Sequence, residues 1–167
     1  MLITPSGRNK GLISEPDLIE LDSKGHVIGG GKASKELPLH MCVYEERKDA
    51  DVVFHSHPVF GTVFASMQLH SIPCDYFAEF PLFLKSVPIA PYAPAGSQAL
   101  AESVRSLVHF SRNILLKNHG VLVFDSDFEA AFNRLEILEN TLKMIFLLNM
   151  AGNVDPIDEE NMKLLMK

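Results

Sequence analysis

Cysteine is scarce: only Cys42 and Cys74 occur, and their spacing matches neither a disulfide framework nor a thiolate metal site. A reducing compartment fits that usage, and the protein is read as cytoplasmic. Positive charge is also short, with 15 Lys and Arg against 21 Asp and Glu and a formal net charge of -6. A phosphate backbone demands a clustered basic face, so nucleic acid is excluded as a partner. The opening Met1-Leu2-Ile3-Thr4-Pro5 lacks the charged start and apolar stretch of a secretory signal. No apolar run reaches bilayer length: residues 142–151 are the most apolar, include Lys143 and read as a buried helix, so no membrane partner is expected. Repeats, low-complexity tracts and a Pro- or Gly-rich linker are missing as well. Residues 1–167 are therefore expected to form a single domain, and with 47% hydrophobic residues the chain can bury a core without disulfides.

Alternating and β-branched runs at residues 1–4, 18–21 and 26–28, separated by an Asp22-Ser23-Lys24-Gly25 turn, predict a small opening meander. Leu37, Met41 and Tyr44 recur at helical spacing over residues 36–48, with Pro38 tolerated in the first turn and Ser34 as the expected N-cap. A strand over residues 51–54 runs into His55-Ser56-His57-Pro58, where proline ends ladder pairing, and a helix over residues 59–67 follows. Residues 71–86 carry no clear period. A strand at residues 87–90 precedes a helical stripe of Leu100, Val104, Leu107 and Val108. Strands at residues 114–116 and 121–124 then flank Asn118-His119-Gly120. Ser126-x-x-Glu129 reads as a capping box for a helix that turns Phe128, Ala131, Phe132, Leu135, Leu138, Leu142 and Ile145 to the core and ends at Gly152. Alternating helices and strands with short hairpin links predict an α/β fold, a three-layer α/β/α sandwich on a mixed, mainly antiparallel sheet.

Residues two apart on an extended strand point to the same side, so His55 and His57 can present both imidazoles to one ion about 2 Å away. A histidine pair cannot complete a tight site; His119, in its turn, is the best remaining third ligand. Three neutral nitrogens leave one coordination position open, which distinguishes a catalytic zinc from a structural one. Glu36 stands near a helix N-terminus, where the helix dipole favours its ionised form unless burial opposes this, and a carboxylate there could shuttle a proton. His40, one turn on, reads either as a buried histidine or as a group behind the site. His26, His70 and His109 read as surface or core residues.

Ile3-Thr4-Pro5-Ser6-Gly7, Ser34-Lys35-Glu36 with His40 and Tyr44, His55-Ser56-His57-Pro58, Ala90-Pro91-Tyr92-Ala93 and Lys117-Asn118-His119-Gly120 follow one another in a recognisable order. In these strings the chain resembles the class II aldolase and adducin head domain family over nearly its whole length. The resemblance implies Zn2+ or another divalent metal on His55, His57 and His119, with Glu36 as catalytic acid and base. It also implies substrate phosphate binding at Ser6, Gly7, Ser34 and Lys35. The implied activity is a lyase that cleaves a phosphorylated ketose, such as L-fuculose 1-phosphate, through a metal-stabilised enediolate. Dehydration or 4-epimerisation of a related sugar phosphate, or a truncated non-catalytic adducin-like module, are the alternatives. A homotetramer with sites between subunits is implied too, to which Tyr76 or Tyr92 contributes; Tyr76 is the catalytic tyrosine, although the family position aligns with Phe77. Family members usually begin with a helix and a strand carrying Gly-Asn-x-Ser, and aldolases of this type end in a tail; the sequence starts after the first and stops before the second.

Overall fold

The structure, a computed structural model, describes residues 1–69 and 72–165. The expectation for His70 lies outside them. The opening meander forms as β1 (Leu2–Ile3), β2 (Ile19–Leu21) and β3 (Val27–Gly29), a three-stranded antiparallel sheet. Strand alternation turns Ile19 and Leu21 inward and Glu20 outward, and with Ile3 they make a small core of their own. Asp22 closes the β2–β3 turn by accepting the N–H groups of Lys24 at 2.8 Å and His26 at 2.9 Å, while Gly25 takes the left-handed φ of 82°. Beyond β1 the chain doubles against residues 32–34: the Ser6 N–H donates to the Lys32 carbonyl at 2.9 Å and the Ser34 N–H to that of Thr4 at 3.1 Å.

The larger sheet comprises β4 (Val52–Ser56), β5 (Ile89–Ala90), β6 (Asn113–Leu116) and β7 (Gly120–Asp125), in the order β4-β7-β6-β5. Its first two pairings are antiparallel and the last is parallel, so the sheet is mixed and mainly antiparallel. β6 and β7 are buried throughout because both faces are covered. Ile114, Leu116, Leu122 and Phe124 meet α1 (Leu37–Glu46) and α3 (Gln98–Arg105) on one side. Leu115, Val121 and Val123 meet α2 (Val59–Ser66) and α4 (Phe128–Ala151) on the other. Two separate cores on one sheet are the three-layer α/β/α sandwich.

Local details differ from expectation for identifiable reasons. Glu36, not Ser34, is the N-cap position of α1; the Ser34 hydroxyl accepts the Glu36 N–H at 3.2 Å in a local turn and leaves the helix end to its neighbour. Asp127, not Ser126, caps α4, taking the Ala130 N–H at 2.8 Å with a charged acceptor that suits the helix dipole better than a hydroxyl. Phe128 and Phe132 are 64% and 49% exposed and stack on each other beside Phe54 instead of entering the core. α3 ends at Arg105, and Leu107–His109 is a separate 3-10 turn. β5 begins only at Ile89, because Pro88 has no N–H to give the ladder and contributes its carbonyl to the Leu115 N–H at 2.9 Å. A π turn at Phe80–Leu84 and a short helix α5 (Glu159–Leu165) carry no period that the sequence betrays. No described helix is long and apolar enough to cross a membrane.

Ile114 is fully buried in the α1/α3 core. Ile114→Ala is expected to lower stability by about 2–5 kcal/mol in denaturant unfolding, through lost transfer energy plus a cavity.

Candidate metal centre

β4 turns His55 inward, 6% exposed, and Ser56 to the opposite face, while His57 leaves the strand at the exposed end. Pro58 then stops the ladder and starts α2. His119 comes from the three-residue link between β6 and β7. Asn118 there adopts a φ of 53°, which asparagine tolerates better than most residues, and its N–H donates to the Ala65 carbonyl at 3.0 Å. Antiparallel pairing of His55 with Leu122 and Ser56 with Val121 brings the start of β7 alongside the end of β4. Contact at that point is so close that a Cβ on Gly120 would fall 2.5 Å from the His57 ring and 2.5 Å from the Ser56 carbonyl oxygen. Only glycine fits.

The three imidazoles converge. Ring centroids are 4.8 Å apart for His55 and His119, 5.0 Å for His55 and His57, and 5.1 Å for His57 and His119. One nitrogen from each ring lies within 4.8 Å of the other two. Nδ1 of His55 is 2.9 Å from the Val121 carbonyl, an acceptor only, so Nδ1 carries the proton and Nε2 keeps its lone pair. Nε2 of His55 and Nδ1 of His119 are buried without a hydrogen-bond partner among the described residues. Each such orphan costs about 1–3 kcal/mol, and a cation shared among the rings would satisfy Nε2 of His55, the nitrogen its Val121 bond leaves free. Burial drives His55 down to about 3, opposed by the Val121 bond and reinforced by its histidine neighbours. Burial and the His119 charge also lower His57. Both rings are therefore neutral at pH 7, the form that binds metals. This donor set fits a divalent cation.

Glu36 is drawn to the same place from α1. Its Oε1 is 3.9 Å from Nε2 of His119, and its Oε2 accepts the Gly96 N–H at 3.1 Å. Gly96 sits at a φ of 72°, and a Cβ there would lie 3.0 Å from the Lys35 carbonyl oxygen, so this anchor also depends on glycine. Lys10, which the sequence reading missed, sends its ammonium to the His55 carbonyl at 2.8 Å. Burial lowers its proton affinity and the Glu36 charge raises it, which sets a lysine beside the carboxylate and the histidines. A lysine in an Arg-Asn-Lys-Gly loop has no pattern that separates it from a surface lysine.

Of the residues assigned to phosphate, Ser6 and Ser34 are brought close together by the Pro5–Ala33 bridge, and Lys35 is exposed next to Glu36. Gly7 has a φ of 72° with open space where a Cβ would project. Tyr76 and Phe77 pack against the core between α2 and α4, and among the described residues no hydrogen bond or ring contact links Tyr76 to the histidines. Tyr92 is exposed. Beside His57 lies an open hollow of about 500 Å³ lined by Val59, Thr62, Val63, Ser66 and Met67.

Residues 1–146 match the family described as Class II Aldolase and Adducin N-terminal domain. The chain belongs to the class II aldolase and adducin family. It is 31% identical over 150 residues to an L-fuculose phosphate aldolase of Methanococcus maripaludis strain C5, covering 90% of this chain and 80% of that protein. It is 32% identical over 152 residues to a 3-oxo-tetronate 4-phosphate decarboxylase of Haemophilus influenzae, covering 89% of this chain and 72% of that protein. A solved L-fuculose 1-phosphate aldolase superposes with a TM-score of 0.86 at 31% identity, covering 99% of this chain and 78% of that one. Class II aldolases are lyases that use a divalent metal, and the histidine cluster of this family member is able to hold one.

Stability carries a pH signature. Unfolded imidazoles take up protons below their usual value of 6.5, whereas burial keeps His55 neutral to about 3, and burial with the nearby Lys10 charge keeps His40 neutral to about 4. The folded state is thus favoured in full above pH 6.5 and loses ground as pH falls toward 4. Denaturant titration of metal-free protein is expected to show roughly 3–4 kcal/mol less stability at pH 5 than at pH 7, with about two protons taken up on unfolding.

Proposed function

We propose that this protein is a metal-dependent lyase of the aldolase type that breaks a carbon–carbon bond in a phosphorylated ketose. The observation that carries this reading is the convergence of three histidine nitrogens within 4.8 Å, with the Glu36 carboxylate 3.9 Å from one of the rings. His55, His57 and His119 would hold zinc or another divalent cation, which supplies the positive charge that polarises a substrate carbonyl. Glu36 would move the proton: its Oε2 is fixed by the Gly96 N–H, which leaves Oε1 to take a proton from the substrate hydroxyl or return one to carbon. Ser6, Gly7, Ser34 and Lys35 would bind the phosphate through hydroxyls, backbone N–H groups and one ammonium. The hollow beside α2 leaves room for the remainder of the sugar. We read residues 1–167 as one domain acting in the cytoplasm as a homo-oligomer, a tetramer by family likeness, with Tyr76 as a proton donor supplied across a subunit boundary.

The decarboxylase relative, 32% identical, favours a second reading. Decarboxylation of a 3-oxo acid and aldol cleavage both leave an electron pair on the carbon next to a ketone, and they differ in whether carbon dioxide or an aldehyde departs. The zinc-loaded protein is to be assayed with L-fuculose 1-phosphate and with 3-oxo-tetronate 4-phosphate. Aldehyde and dihydroxyacetone phosphate released from the first substrate support the aldolase, and carbon dioxide from the second supports the decarboxylase. Glu36→Gln is expected to retain the metal and lose about 10²-fold or more in kcat on whichever substrate is turned over. Absence of turnover on any phosphorylated ketose by metal-loaded wild type contradicts the reading.

A further inference from the structure

α2 begins two residues after His57 and has no capping side chain of its own. Pro58 at its N-cap accepts the Thr62 N–H at 2.9 Å, the first bond inside the helix, and offers nothing to the free N–H groups of the first turn. Two of those groups are satisfied from far along the chain. Glu139, on α4, accepts the Phe60 N–H with Oε1 and the Gly61 N–H with Oε2, both at 2.8 Å. A carboxylate at this end of a helix also meets the positive pole of its dipole.

The same turn is wedged from beneath. A Cβ on Gly61 would lie 2.6 Å from a methyl of Val121 and 3.0 Å from the Pro58 ring. Val121 is the residue whose carbonyl holds His55 Nδ1. His57, unlike His55, has no hydrogen bond to its ring among the described residues. Its direction is therefore set by the backbone at residues 57–58 and by its packing on Gly120. Whatever fixes Pro58 and the first turn of α2 fixes His57.

We infer that Glu139 is a positioning residue of the metal centre: by capping α2 it holds the His57-Pro58 junction and thereby aims the His57 imidazole at the ion. This rests on the metal-binding reading of the three histidines. Loss of the cap frays the first turn of α2 and gives His57 a range of directions, so the ion loses part of one ligand. Groups that orient metal ligands through a second layer of contacts typically change affinity by about 10–100-fold when removed.

Zinc affinity, measured by chelator competition on the full chain below its unfolding transition, tests this with Glu139→Ala, Glu139→Gln and, as a control, Leu142→Ala. Leu142 is fully buried on α4 in the core that α2 shares, so that variant lowers stability while keeping the Glu139 carboxylate that caps α2. Glu139→Ala is expected to bind zinc about tenfold or more weakly. Glu139→Gln, which keeps one acceptor but sets an NH2 against the second N–H, is expected to fall between Glu139→Ala and wild type. Leu142→Ala is expected to bind like wild type. The cobalt-loaded Glu139→Ala protein should show an altered d–d spectrum, which destabilisation alone does not produce. If Glu139→Ala does not fold, Glu139→Gln decides. The inference is overturned if either folded Glu139 variant binds zinc as tightly as wild type, or if Leu142→Ala weakens binding as much. Wild type that binds no zinc overturns the metal-centre reading itself, a distinct result.

Discussion

The site depends on a backbone contact: β7 lies antiparallel to β4 with no side chain between them at Gly120. This absence lets the His57 ring and the Ser56 carbonyl approach the start of β7 at a distance no Cβ would allow. Two histidines from one strand end and a third from a turn some sixty residues later then fall into one small volume. The Val121 carbonyl, one residue into β7, fixes the His55 tautomer, so the strand that brings His119 also decides which nitrogen of His55 is offered.

Around that contact the protein carries polar costs that make sense together. Two buried nitrogens without partners among the described residues, neutral histidines held far below their ordinary protonation range and a lysine losing solvent beside Glu36 each oppose folding in isolation. They share one location. The large apolar faces of β6 and β7, covered on both sides by helices, supply the stability against which such a site is tolerated. A divalent ion would turn the orphaned Nε2 of His55 into a ligand, which couples metal binding to folding.

Much of the architecture was legible because its signals are local. Alternation in residues 18–21, the Asp22-Ser23-Lys24-Gly25 turn and the apolar runs beside Asn118-His119-Gly120 each act over a few residues, and each element formed where its pattern lay. The histidine cluster was legible too, since His-x-His on a strand turns two imidazoles to one side and His119 stands in the turn between two strand-like runs. What escaped notice depends on how a turn closes or on distant partners. Ser34 and Ser126 look like caps in isolation, but Glu36 and Asp127 occupy those positions once the turns close. Phe128 and Phe132 keep the helical period of the core, yet they project past the edge of the sheet at β4 and stack in the open. Lys10 and Glu139 act on backbone groups far along the chain, a relation that no spacing rule encodes.

The central claim is that three imidazoles from two segments share one cation with a coordination position to spare. Zinc-edge X-ray absorption on protein loaded with one equivalent of metal tests it most directly. The account predicts three histidine nitrogens at about 2.0–2.1 Å, with one further light-atom ligand. A first shell with two or fewer imidazoles, or one in which protein groups fill all four positions, would contradict it.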